Sequence, residues 1–176
     1  FTYNLVGRVT SYTDPRTNTW TYTVNEFDQV TRVVGPPPLN YAVDYAFDAN
    51  GSIEQVNVAN IDDTGAPYAN AVLTNTMTYN LLNNALSQSR EIDGATTAVT
   101  QFQYDANELR THVVFPEGNQ VRMTYDSRDL LSQVTRGFGS ADASTEVFTQ
   151  DENRNLTQHV RGEGGNHQSL LQRDGF

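Results

Sequence analysis

The chain is 176 residues long, about one domain by length, and carries 21 acids against 11 basic residues, all of them arginine, for a formal charge of −10. That balance excludes non-specific nucleic-acid binding and attraction to anionic membranes, both of which need a basic surface. There is no cysteine, which removes disulfide frameworks and thiolate metal sites; no apolar run approaches a bilayer span, and the N-terminus does not read as a signal peptide.

Taken in order, the chain repeats one phrase. It begins Phe1-Thr2-Tyr3-Asn4 and returns as Tyr22-Thr23-Val24-Asn25, Tyr45-Ala46-Phe47-Asp48, Met77-Thr78-Tyr79-Asn80, Phe102-Gln103-Tyr104-Asp105, Met123-Thr124-Tyr125-Asp126, Phe148-Thr149-Gln150-Asp151 and Leu171-Gln172-Arg173-Asp174. With the residue before the Asx as origin, the copies start at 3, 24, 47, 79, 104, 125, 150 and 173, spaced 21, 23, 32, 25, 21, 25 and 23 residues apart. The Asx position and the large apolar position two before the origin are filled in all eight copies, so an internal repeat decides the architecture.

Apolar, Thr, apolar, Asx has period 2, which puts both apolar groups on one face of a strand. Aromatic residues and threonine suit that pleated, half-buried surface. The Asx ends the strand, because its side chain accepts hydrogen bonds from backbone N–H groups two residues on. In Asp48-Ala49-Asn50-Gly51, glycine supplies the positive φ of the turn. A second strand returns through apolar positions six and nine past the origin, such as Val9 and Tyr12, or Leu131 and Val134. Each copy is therefore a predicted β-hairpin. A three-residue loop sets Tyr3 opposite Val9 and Tyr125 opposite Leu131, then Thr2 with Thr10 and Thr23 with Thr31. The apolar residue two before the origin meets the apolar ninth position only if one residue bulges, so a bulge is expected between it and the threonine.

Connections between hairpins carry turn residues: Asp14-Pro15, Gly35-Pro36-Pro37-Pro38, Pro116-Glu117-Gly118-Asn119, Gly137-Phe138-Gly139-Ser140 and Gly162-Glu163-Gly164-Gly165-Asn166. The 32-residue interval reads as a loop inserted between Ile61 and Leu73. Tyr79–Ile92 has a helical look through Leu81, Leu82 and Leu86, which conflicts with its fit to the repeat. Both ends lack caps, so the expectation is a segment of a longer array.

Candidate chemistry is sparse. The column Asn4, Asn25, Asp48, Asn80, Asp105, Asp126, Asp151 and Asp174 mixes acids with amides, which a turn tolerates and a catalytic column would not. Asp151-Glu152-Asn153-Arg154-Asn155 begins like a calcium loop but has Leu156 where glycine is needed and Gly162 where the bidentate glutamate belongs. Asp62 and Asp63 form a carboxylate pair for which a solvated loop is the better reading. His112, His159 and His167 have no metal-ligand spacing and read as surface residues. No nucleophile elbow or phosphate loop is present. Trp20 and Tyr22 share a strand face and are candidate ligand-stacking aromatics, with structural packing the default. No catalytic residue, metal or cofactor is expected, and the chain is read as a non-enzyme.

Tyr-Asp-x-x-Gly/Asn-x-Leu-x-x-Val at this spacing, best seen in Tyr104-Asp105-Ala106-Asn107, Tyr125-Asp126-Ser127-Arg128 and Asp151-Glu152-Asn153-Arg154-Asn155-Leu156, resembles the YD repeat of the Rhs/YD-repeat family. The resemblance covers essentially the whole chain as one array. It implies an all-β fold of tandem antiparallel hairpins stacked into a curved, spiralling sheet that forms part of a hollow shell. In bacterial Rhs and Tc-type toxins such a shell encloses a toxic polypeptide; in teneurins it belongs to an extracellular adhesion protein. The family's C-terminal autoproteolytic core has no counterpart here, so cleavage carries over to no residue. The expected function is a shell segment around a polypeptide cargo such as a toxin domain, in a secreted or cell-surface bacterial protein. Its partners would be neighbouring repeats, the cargo, and other copies through open sheet edges, with no nucleic acid and no membrane insertion. The alternative is an adhesion module binding carbohydrate or protein; a glycan-cleaving enzyme, which needs two carboxylates about 5–9.5 Å apart, is more remote.

Overall fold

The structure is a computed structural model; it describes residues 1–162 and, as backbone alone, residues 167–170. Every element in them is a β-strand. The chain divides into two compact units, Phe1–Val99 and Thr100–Phe176. In the first, β1 (Thr2–Tyr3), β2 (Val9–Thr13), β3 (Thr19–Val24), β4 (Val30–Val34), β5 (Ala42–Phe47), β6 (Ile53–Ile61), β7 (Pro67–Tyr79) and β8 (Ala85–Glu91) each pair antiparallel with the next. β9 (Thr97–Tyr104) runs into the second unit. There β10 (Arg110–Val114), β11 (Gln120–Tyr125), β12 (Leu131–Arg136), β13 (Ser144–Gln150), β14 (Leu156–Arg161) and β15 (His167–Leu170) follow, each pairing antiparallel with the next, and β10 also with β9. The eighth copy, with origin Arg173 and Asp174, lies outside the described residues.

One hairpin geometry recurs in all seven described copies. The origin faces position six, as in Tyr3 opposite Val9 and Tyr125 opposite Leu131. The register then slips one residue earlier than the sequence reading placed it. The residue before the origin faces position eight, so Thr2 lies opposite Ser11 rather than Thr10, and Thr23 opposite Arg32 rather than Thr31. Beyond the slip, position −2 meets position nine: Tyr22 with Val33, Met123 with Val134. The bulge hugs the turn because positions seven and eight are both mostly polar, and either serves a threonine. Thr2 Oγ1 in fact lies 2.9 Å from Thr10 Oγ1 and 2.7 Å from Ser11 Oγ.

The expected inserted loop at Ile61–Leu73 is not a loop. The extra residues lengthen β6 and β7, which are joined by a tight turn in which Asp62 N–H donates to the Ala66 carbonyl at 2.9 Å. Turn residues were present; the sequence simply did not show how close together the strand ends come. The helical look of Tyr79–Ile92 also gives way, with Asn80–Asn84 forming a turn and Ala85–Glu91 a strand, as the repeat columns require.

Each unit has a polar and an apolar side but little enclosed core. Among the described residues only Val113 (7% exposed) and Val134 (9%) are buried. Both occupy position nine, opposite Phe102 and Met123.

Candidate functional site

The Asx column lines one rim of the hairpins. In each of the seven described copies its side chain bridges the turn, accepting backbone N–H bonds of 2.8–3.1 Å: Asn4 from Val6 and Arg8, Asn25 from Phe27 and Gln29, Asp48 from Asn50 and Ser52, Asn80 from Leu82 and Asn84, Asp105 from Asn107 and Leu109, Asp126 from Arg128 and Leu130, Asp151 from Asn155. An amide oxygen does this as well as a carboxylate, so both residue types appear. The bonds hold Asp126 below the usual carboxylate range, the Leu130 N–H foremost and then Arg128, and Asp151 likewise, chiefly through the Asn155 side chain.

Four residues past the origin lies a left-handed column that the sequence reading recognised only at Gly51. Gly7, Asp28, Gly51, Asn83, Glu108, Asp129 and Arg154 all have φ between 63° and 84°. Gly7 and Gly51 advertised it, and Asp28, Asn83 and Asp129 are residue types that tolerate the region, but Glu108 and Arg154 are not. The same rim is laced sideways. Arg8 pairs with Asp28, Gln29 Nε2 reaches the Gly51 carbonyl at 3.5 Å, and Ser52 Oγ donates to Asn83 Oδ1 at 2.5 Å. In the second unit Asn107 Nδ2 donates to Asp129 Oδ1 at 2.9 Å, and Arg128 donates to the Asp151 carbonyl at 2.5 Å.

Trp20 and Tyr22 share the apolar face of β3 but do not form one open platform. Trp20 stacks on Tyr12, with centroids 5.6 Å apart, and Tyr12 lies 4.8 Å from Phe1. Tyr22 instead borders an apolar groove of about 490 Å³ with Val30, Val33, Tyr45, Phe47 and Ile53. Tyr41 is 42% exposed.

The remaining polar candidates are tied into local contacts. Asp62 Oδ1 accepts from Thr64 Oγ1 and from the Thr64 and Ala66 N–H groups at 2.7–2.9 Å, and the Thr64 hydroxyl is the foremost cause of its lowered pKa. The histidines are less exposed than expected. His159 stacks on Phe148 at 4.7 Å and sets Nε2 2.9 Å from Glu146 Oε2, with Arg136 on the other carboxylate oxygen. Glu146 is thereby held below its ordinary value, His159 contributing most. His112 is half-buried beneath Phe138. The His167 side chain lies outside the described residues. No group of three or more metal-ligating side chains gathers among the described residues.

Each of the seven described hairpins thus carries one Asx turn, one bulge and one left-handed position. No family model matches the sequence, and no curated protein matches it. Among solved structures, the crystal structure of TcdB2-TccC3-TEV is similar over 96% of this chain and 9% of its own, with a TM-score of 0.74 and 13% identity. TcdB2-TccC3 gives 0.73 and 13% over 96% of this chain and 10% of its own. The Photorhabdus luminescens Tc holotoxin pore gives 0.51 and 13% over 94% and 11%. The chain spans about a tenth of the length of the chains it matches. Its fold is all-β, with the tandem antiparallel hairpins of these structures, and this likeness supports the Rhs/YD-repeat reading.

Proposed function

We propose that this chain is a wall segment of a YD-repeat shell enclosing a polypeptide cargo, such as a toxin domain, in a secreted or surface-exposed bacterial protein. It acts by containment and has no catalytic site of its own. The observation that carries this reading is the uniformity of the hairpins together with the 0.74 match to TcdB2-TccC3-TEV over nearly the whole chain. A unit whose every copy uses the same turn, bulge and left-handed residue can be added in series, and strand pairing within each unit leaves no gap between its hairpins. The mixed rim suits it too, since Asn, Asp, Arg and Gln keep the turns wetted while linking neighbouring hairpins within each unit.

Electron microscopy and mass spectrometry of the intact parent protein test it. A hollow particle containing density from a separate polypeptide segment is the expected result. A solid or open array with nothing inside would remove containment and favour adhesion, for which the groove beside Tyr22 and Tyr45 is the supporting feature. Trp20 supports adhesion less, because its face already rests on Tyr12.

A further inference from the structure

The geometry points to a carboxylate-binding pocket on the polar face of the second unit, in which Arg122 supplies the donors, His112 forms a wall and Phe138 the roof. Cross-strand register places His112 beside Gln103 on one side and Arg122 on the other. With Thr111 and Phe138 these residues line a cavity of about 360 Å³. The roof is a built feature. Phe138 stands between Gly137 and Gly139, both at positive φ (66° and 86°), and its N–H donates to the Gln120 carbonyl at 3.0 Å. That swings the ring over the sheet, edge-on to His112 at 5.7 Å and with the Arg122 guanidinium carbon 5.1 Å from its centroid.

The chemistry follows from how a guanidinium is used. Contact with an aromatic face engages the π side of the group and leaves the in-plane N–H donors free, in a fork that matches a carboxylate. Among the described residues Arg122 has no ion pair, whereas Arg128 and Arg136 in the same unit do. The register row through it reads Gln103, His112, Arg122, Thr135, Thr145, without an acid. His112 Nε2 lies 2.9 Å from Gln120 Oε1, an oxygen that only accepts, so Nε2–H donates there and the ring is fixed in place. In a chain of formal charge −10, an arginine held by an aromatic, with no acid in its cross-strand row, is poised for an external oxyanion. The inference does not depend on the shell reading.

The test is an NMR titration of the 176-residue chain, following the His112 ring and Arg122 side-chain signals. The probes are acetate, the peptide acetyl-Ala-Glu-Ala-amide, and its counterpart with glutamine for glutamate. Saturable shifts with both carboxylates and none with the glutamine peptide are expected. Tighter binding of the peptide would assign the natural ligand to an acidic chain segment, and equal binding to a free small carboxylate. Arg122→Gln, at an exposed position, should weaken binding about tenfold or more with the remaining spectrum unchanged. Phe138→Leu keeps an apolar roof but loses the ring and should give a smaller loss. Absence of saturable shifts with either carboxylate, an equal response to the glutamine peptide, or unchanged affinity in Arg122→Gln would overturn the assignment.

Discussion

Gly118 offers a clean test of whether backbone conformation governs these turns. It closes the Phe115–Asn119 turn, where Phe115 N–H donates to the Asn119 carbonyl at 2.8 Å and Gly118 N–H to the Phe115 carbonyl at 2.9 Å. Its φ is +85°, and a Cβ built there meets nothing within 4 Å. Gly118→Ala therefore changes conformation without changing packing. Holding alanine in the left-handed region costs about 1–2 kcal/mol, while the stiffer unfolded chain returns about 0.4–1 kcal/mol. The net loss should be about 0.8 kcal/mol, within limits of about 0–1.6 kcal/mol, at about 2–4 °C of Tm per kcal/mol for a chain this long. Gly118→Asn should cost less, because asparagine tolerates the region. Urea denaturation of both variants beside Glu117→Ala, an exposed control in the same turn, measures this. If Gly118→Ala matched the control, or if asparagine cost as much as alanine, the reasoning would fail.

Asn80→Ala removes the acceptor for the Leu82 and Asn84 N–H groups and should cost about 1–2 kcal/mol at an exposed turn, whereas Asn80→Asp should be nearly silent in urea melts. Val134→Ala, at one of the two buried positions, should cost about 1–3 kcal/mol; a loss below the Asn80→Ala value would show that turns outweigh side-chain packing. The lowered pKa of Glu146 means that it stabilises the fold above its unfolded value and that this contribution is lost as pH falls through the folded one. Glu146→Gln should therefore flatten the acid side of the stability profile below about pH 4.5, and parallel profiles for the two proteins would contradict it. Breaking the Arg32–Asp44 pair, whose side chains are 49% and 40% exposed, should change stability by about 0–1 kcal/mol and less in high salt.

What was legible in the sequence was what the chain determines locally. Alternation along Tyr22-Thr23-Val24-Asn25 suffices for a strand and its end, because the partners lie within the next several residues. The bulge was misplaced by one position because Thr10 and Ser11 offer the same hydroxyl, and composition does not decide which faces Thr2. The lengthened β6 and β7 were hidden by Asp62, Gly65 and Pro67, turn formers that mark a bend but not the size of the loop around it. The Phe138 roof was illegible for a different reason. Gly137-Phe138-Gly139 reads as a loop, and only strand pairing brings it over residues 16 and 26 positions away, Arg122 and His112.

The sideways lacing of the Asx rim bears on how such a molecule changes over evolutionary time. Each lace joins a hairpin only to the next one, as Asn107 to Asp129 or Ser52 to Asn83. Duplicating one hairpin therefore adds a single seam, deleting one replaces two seams by one, and every other junction is left intact. Loss of one seam residue leaves the strand pairing beside it in place, so the partners can drift in identity: an ion pair at one seam, an amide and a carboxylate at another, a hydroxyl and an amide at a third. Selection can then retune repeat number and rim composition separately, and a sequence can wander far from its relatives while the hairpins it encodes stay the same.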